Sequence, residues 1–172
     1  MFFADISKPS NLIQYVPIIT SAIIIDLIIM IISLSFASSI YLKKWYKQYN
    51  LAAVLADVLS ISIGILIARY IYSYFFKEWS IWKFILIALS VQILHDILFY
   101  NIFTFIPRGK SVIMDLFKDY SKEIRGVAIF GDSLIIIGTI LIASLLASLD
   151  LEINLFILVW AVYLIPYFVY SF

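Results

Sequence analysis

Of the 172 residues, 65% are hydrophobic and 13% charged, with a mean hydropathy of +1.08. A water-soluble domain carries roughly 45–50% apolar and about 25% charged residues, so a soluble fold is excluded; a transmembrane barrel is excluded too, because the apolar blocks show no period-two alternation. The net charge of +1 gives no reason to expect nucleic acid, and the lack of cysteine rules out disulfides, thiol catalysis and thiolate metal sites.

The expected fold is all-α. It is a single polytopic membrane domain over 1–172, with about five transmembrane helices and one amphipathic surface helix. Residues 1–16 mix Asp5, Lys8, Pro9 and Gln14 with apolar residues, which suits the membrane surface. The first helix is expected at about 17–42. It opens on Pro17, whose missing N–H costs nothing at a helix start, and closes on the basic and aromatic anchor Lys43, Lys44, Trp45, Tyr46 and Lys47. No basic n-region precedes it and its apolar run is too long for a signal peptide, so it reads as an uncleaved helix.

The second helix is expected at about 51–76. Ala52, Ala56, Ser60, Gly64 and Ala68 recur at every fourth position, forming a small-residue strip that lets helix backbones approach in lipid. That strip serves either an internal contact or a homo-oligomer. Lys77, Glu78, Trp79 and Trp82 mark the next interface, and the third helix follows at about 80–106, ended by Pro107. In residues 111–125, Ile113, Leu116, Phe117, Tyr120 and Ile124 recur at helical spacing against a charged face. Ser111 is the expected N-cap and Gly126 the expected stop. This segment reads as an amphipathic helix at the interface or, alternatively, a solvated connector. The fourth and fifth spans are expected at about 127–149 and 153–172, with Pro166 kinking the last.

Lysine and arginine set the orientation. Lys43, Lys44, Lys47, Arg108, Lys110, Lys118, Lys122 and Arg125 fall on one side, and Lys8, Lys77 and Lys83 on the other. By the positive-inside rule the N-terminus is outside or lumenal and the C-terminus cytosolic.

Each apolar run before the fifth carries an acid. At about 1.5 Å per residue, Asp26 and Arg69 share an outer level and are expected to pair, which offsets much of the cost of either alone in lipid. Asp57, Gln92, His95, Asp96, Tyr100, Asn101 and Asp132 form an expected inner cluster nearer the cytosolic face. Three readings of the cluster stay open: a hydrogen-bonded polar core that only specifies packing, a proton or cation path with His95 as relay, and a divalent-metal site. His95, Asp96, Asp57 and Asp132 are weak candidates for the last, since His95 and Asp96 point about 100° apart on a helix. No metal or cofactor is therefore expected. HExxH, GxSxG and phosphate-loop motifs are absent.

LADVLSISIGILIAR (55–69), VQILHDILFY (91–100), IPRGKSVIMDLFKDYSKEI (106–124) and AIFGDSL (128–134) resemble an uncharacterised family of multi-pass membrane proteins from nucleocytoplasmic large DNA viruses. The resemblance spans the second helix onward. It implies viral origin and a host internal or virion membrane, and carries no activity. The expected function is a structural or membrane-organising component. The alternatives are a proton- or cation-conducting protein using the intramembrane carboxylates, and a metal-dependent membrane enzyme acting on lipid.

Overall fold

The computed structural model describes residues 3–36 and 39–171. All its regular structure is helical: α1 (Tyr15–Ser35), α2 (Ile40–Tyr49), α3 (Leu51–Phe75), α4 (Ile81–Phe105), α5 (Val112–Ile124), α6 (Val127–Leu146) and α7 (Leu151–Val169), with a 3₁₀ turn at Leu12–Gln14 leading into α1. Five segments are long and apolar enough to cross a bilayer: Leu12–Ser35, Leu51–Phe75, Ile81–Phe105, Val127–Leu146 and Leu151–Val169. Helices satisfy their own backbone groups, which hydrocarbon cannot do for them.

Four of the five form a closed ring. α1 packs on α3 and α6, and α4 packs on the same two helices from the other side, while α7 lies against α1. Ile18, Ala22, Ile65, Ala68, Ala88, Ile140 and Ala143 fill the centre. α6 comes close to α1 at Gly138, where a Cβ would stand 3.0 Å from Ile25 Cδ1. In lipid, this small-residue contact rather than hydrophobicity draws helices together.

The expected first helix of 17–42 is two elements. α1 stops at Ser35, and α2 starts anew at Ser39, whose Oγ accepts from the Leu42 N–H at 3.1 Å. Trp45 and Tyr46 of α2 are buried while Lys44 and Lys47 are exposed, so the basic anchor is a second amphipathic helix. α5 matches its expectation, with Ser111 Oγ accepting from Met114 N–H at 3.3 Å. Its stop is Arg125, at φ 48°, rather than Gly126, which keeps φ −70°.

The N-terminal segment folds against the end of the bundle. Ile6, Ser7 and Gln14 are buried there, while Lys8 and residues 10–13 stay exposed. Ala4 N–H donates to Ser144 O at 3.0 Å and Ser144 Oγ returns a bond to Ala4 O at 2.5 Å. Ser73 Oγ and Trp79 Nε1 donate to Ser7 O and Phe3 O. At the centre lies Arg69, wholly buried. Its Nη2 donates to the carbonyls of Lys8 and Asn11 and to Gln14 Oε1, and its guanidinium stands 4.9 Å from the centroid of the Tyr15 ring.

Arg69→Ala leaves Gln14 Oε1 unpaired in a buried site and removes the donor to the Lys8 and Asn11 carbonyls. The expected loss is about 2–3 kcal/mol, read as a lower midpoint of thermal unfolding in detergent. Amide exchange at Ala4 should rise with it. Unchanged exchange there would show that Arg69 does not hold the segment.

Candidate functional site

Each helix of the four-helix ring carries one aspartate: Asp26 on α1, Asp57 on α3, Asp96 on α4 and Asp132 on α6. A carboxylate in hydrocarbon is costly unless donors meet it, and the surface helix α2 supplies two. Trp45 Nε1 donates to Asp57 Oδ2 at 2.9 Å, and the Tyr46 hydroxyl donates to Asp26 Oδ1 at 3.1 Å. Asp96 Oδ1 accepts from Gln92 Nε2 at 2.7 Å, one helical turn away, and lies 3.3 Å from His95 Nδ1. Among the described residues Asp26 Oδ2 and Asp96 Oδ2 are buried with no partner.

Two phenols lie near the acids. Tyr46 bonds Asp26, and burial, then the charges of Asp57 and Asp26, raise its ionisation well above the ordinary value. Tyr120, from α5, is raised chiefly by burial and further by the charges of Asp132, Asp57, Glu123 and Asp96. The acids open toward α2 and α5, and the opposite half of the bundle is apolar core below the Arg69 knot.

α2 and α5 are bonded to each other beside these acids. Glu123 of α5 caps α2: its carboxylate accepts from Ser39 Oγ at 2.5 Å and from the N–H groups of Ile40 and Tyr41 at 3.0 and 3.5 Å. Negative charge at a helix N-terminus is favourable, and these bonds lower the Glu123 ionisation from its ordinary 4.5. Trp45 packs on Phe117 of α5 at 5.0 Å between centroids, and Phe117 on Phe99 of α4 at 5.1 Å. Arg108 bonds Asp119 and holds that carboxyl below its usual range.

Several expected site residues lie elsewhere. Asp26 and Arg69 do not pair among the described residues, because their levels differ. With α1 ending at Ser35, Asp26 is near its middle, about 17 Å from the start, whereas Arg69 is about 9 Å from the matching end of α3. Of the own-helix series, Gln92 and Asp96 bond, while Tyr100 is exposed and packs on Phe103. Asn101 is exposed and donates to Ile97 O in its own helix. His95 is half-exposed and stacks on Phe99.

Among the described residues no three His, Asp or Glu side chains gather as a metal-binding group, so the weak set His95, Asp96, Asp57 and Asp132 is not assembled. In the small-residue strip, Ala52 and Ala56 are exposed, Ser60 and Gly64 half-buried and Ala68 buried. Its middle floors a groove of about 340 Å³ between α3 and α4, lined also by Val91, Gln92 and His95. Trp45, Tyr46 and Tyr120 are the site members that sequence reasoning missed. Their signal was the amphipathic pattern, read only as membrane anchoring. Comparison with protein-family models, with curated proteins and with solved structures finds no match.

Trp45→Phe keeps the ring contacts and removes the donor to Asp57. The expected cost is about 1–3 kcal/mol. Asp57→Asn retains an acceptor and should cost less. A double-mutant cycle on thermal unfolding then gives a coupling of about 1 kcal/mol, and additivity would mean that the bond carries no stability.

The Glu123 cap gives a pH dependence. Its folded ionisation lies below 4.5, so its stabilisation is complete above that pH and is lost as pH falls through the folded value. Amide exchange at Ile40 should be slow at neutral pH and lose protection below about pH 4.5. In Glu123→Gln that step should disappear.

Proposed function

We propose that this chain is a structural or membrane-organising component of a bilayer. The observation that carries the reading is the joined pair of surface helices. α2 and α5 are bonded to each other through Glu123 and to the bundle through Asp26 and Asp57. This braced pair carries Lys43, Lys44, Lys47, Lys118 and Lys122 at one end of a five-span bundle. Anionic headgroups are attracted to such a polybasic face. Two of the four intramembrane aspartates hold a surface helix in place, a packing task that needs no transport or chemistry.

The Lys and Arg asymmetry supports a cytosolic face for the α2/α5 end and for the C-terminus, with the N-terminus outside or lumenal. The viral resemblance of residues 55–69, 91–100, 106–124 and 128–134 supports a host internal or virion membrane as the location.

A second reading, proton or cation handling, is favoured by one specific observation: the buried, unpartnered Oδ2 atoms of Asp26 and Asp96. Intramembrane carboxylates with spare acceptor capacity mark ion and proton paths in other proteins.

Reconstitution into vesicles containing phosphatidylglycerol separates the two. The structural reading predicts no proton or monovalent-cation flux above that of protein-free vesicles, with vesicle clustering or reshaping visible by electron cryomicroscopy. Flux that is lost in Asp96→Asn would overturn it in favour of conduction.

A further inference from the structure

A second concavity lies at the α2 end of the bundle, apart from the α3/α4 groove. It has a volume of about 280 Å³ and is lined by Leu34, Tyr46, Lys47, Asn50, Val169 and Tyr170. These come from three places that meet at one level: the last turn of α1, the end of α2 with the residue joining it to α3, and the end of α7. All three spans begin or end there, so the cavity sits where hydrocarbon gives way to headgroups.

Its lining is divided in the way an interfacial ligand requires. Leu34 and Val169 offer an apolar surface. Lys47 offers an exposed ammonium, which forms no ion pair among the described residues. Asn50 adds a side-chain amide and Tyr170 an exposed phenol. Among the described residues no Asp or Glu lines the cavity. Asn50 is held at φ 47°, an unfavourable backbone region for a side-chain-bearing residue, and its N–H is tied to Tyr46 O at 2.9 Å. The local backbone therefore turns sharply where α2 hands over to α3, and this turn makes the concavity.

We infer that this cavity is a binding site for one anionic phospholipid, its phosphate held by Lys47 and Asn50 and its acyl chains running along α1 and α7. Lys47, the charged residue of the described lining, favours an anion over a cation, and the apolar surface of Leu34 and Val169 selects a lipid over free phosphate. Tyr46 lines the same cavity, and its hydroxyl donates to Asp26. A bound headgroup thus lies one side chain away from Asp26. The inference stands apart from the membrane-organising role, because a conducting protein would hold the same lipid.

The test uses the full chain in detergent, delipidated and then titrated with phosphatidylglycerol, phosphatidylcholine or inorganic phosphate, with native mass spectrometry counting retained molecules. One phosphatidylglycerol should be retained, with phosphatidylcholine and phosphate bound far more weakly. Lys47→Glu should lower phosphatidylglycerol affinity about tenfold. Lys77→Glu, an equal charge change on an exposed residue at the other end of the bundle, should leave it within about twofold. If Lys47→Glu is not monodisperse, Lys47→Gln serves in its place, with an expected loss of about fivefold. Equal retention of phosphatidylcholine, equal loss in the Lys77 variant, or no loss at Lys47 would each overturn the site. Vesicle flux does not enter these readouts, so failure here is separate from failure of the proposed function.

Discussion

A carboxylate inside hydrocarbon has no water to bond, so the protein itself must supply its donors. That requirement organises one half of this molecule. Asp57 takes the Trp45 indole and Asp26 the Tyr46 phenol, and adjacent residues of α2 thereby bind two different spans. An amphipathic helix that would otherwise float at the interface becomes part of the bundle. Once α2 is fixed, Glu123 at its N-terminus fixes α5, and the Trp45–Phe117–Phe99 contacts tie α5 to α4.

The other half meets the same physical demand with the opposite charge. Arg69 is wholly buried, and it is answered by backbone carbonyls of the N-terminal segment rather than by an acid. The segment buries Ile6 fully, while its Leu12 and Ile13 stay exposed. Its hydrogen bonds to Ser144, Ser73 and Trp79 draw it across the ends of α3 and α6. Charge burial therefore recruits a flanking segment at each end: α2 by acids, the N-terminal residues by a base. Between them lies a mostly apolar core.

The span count, the all-helical class, the amphipathic α5 and its Ser111 cap were legible because they depend on composition and local periodicity. So was the Gln92–Asp96 bond, which needs only a four-residue step on one helix. The break between α1 and α2 was harder to see. Ile40, Tyr41 and Leu42 continue the apolar run, and the capping serine that ends it is a single residue. That seven-residue difference in where α1 ends moved Asp26 from the level of Arg69 to mid-helix, which dissolved the expected ion pair.

Sequence alone determined that this chain crosses a bilayer about five times with a carboxylate in each of the first four spans. Hydrocarbon accepts only long apolar helices, and that constraint is read residue by residue. Which donors answer those carboxylates was decided only by tertiary structure. Trp45 and Tyr46 lie 12 and 20 positions from the acids they bond, on a helix separate from both spans. Such pairings depend on how helices rotate and stack, and no spacing along the chain encodes the rotation of one helix against another.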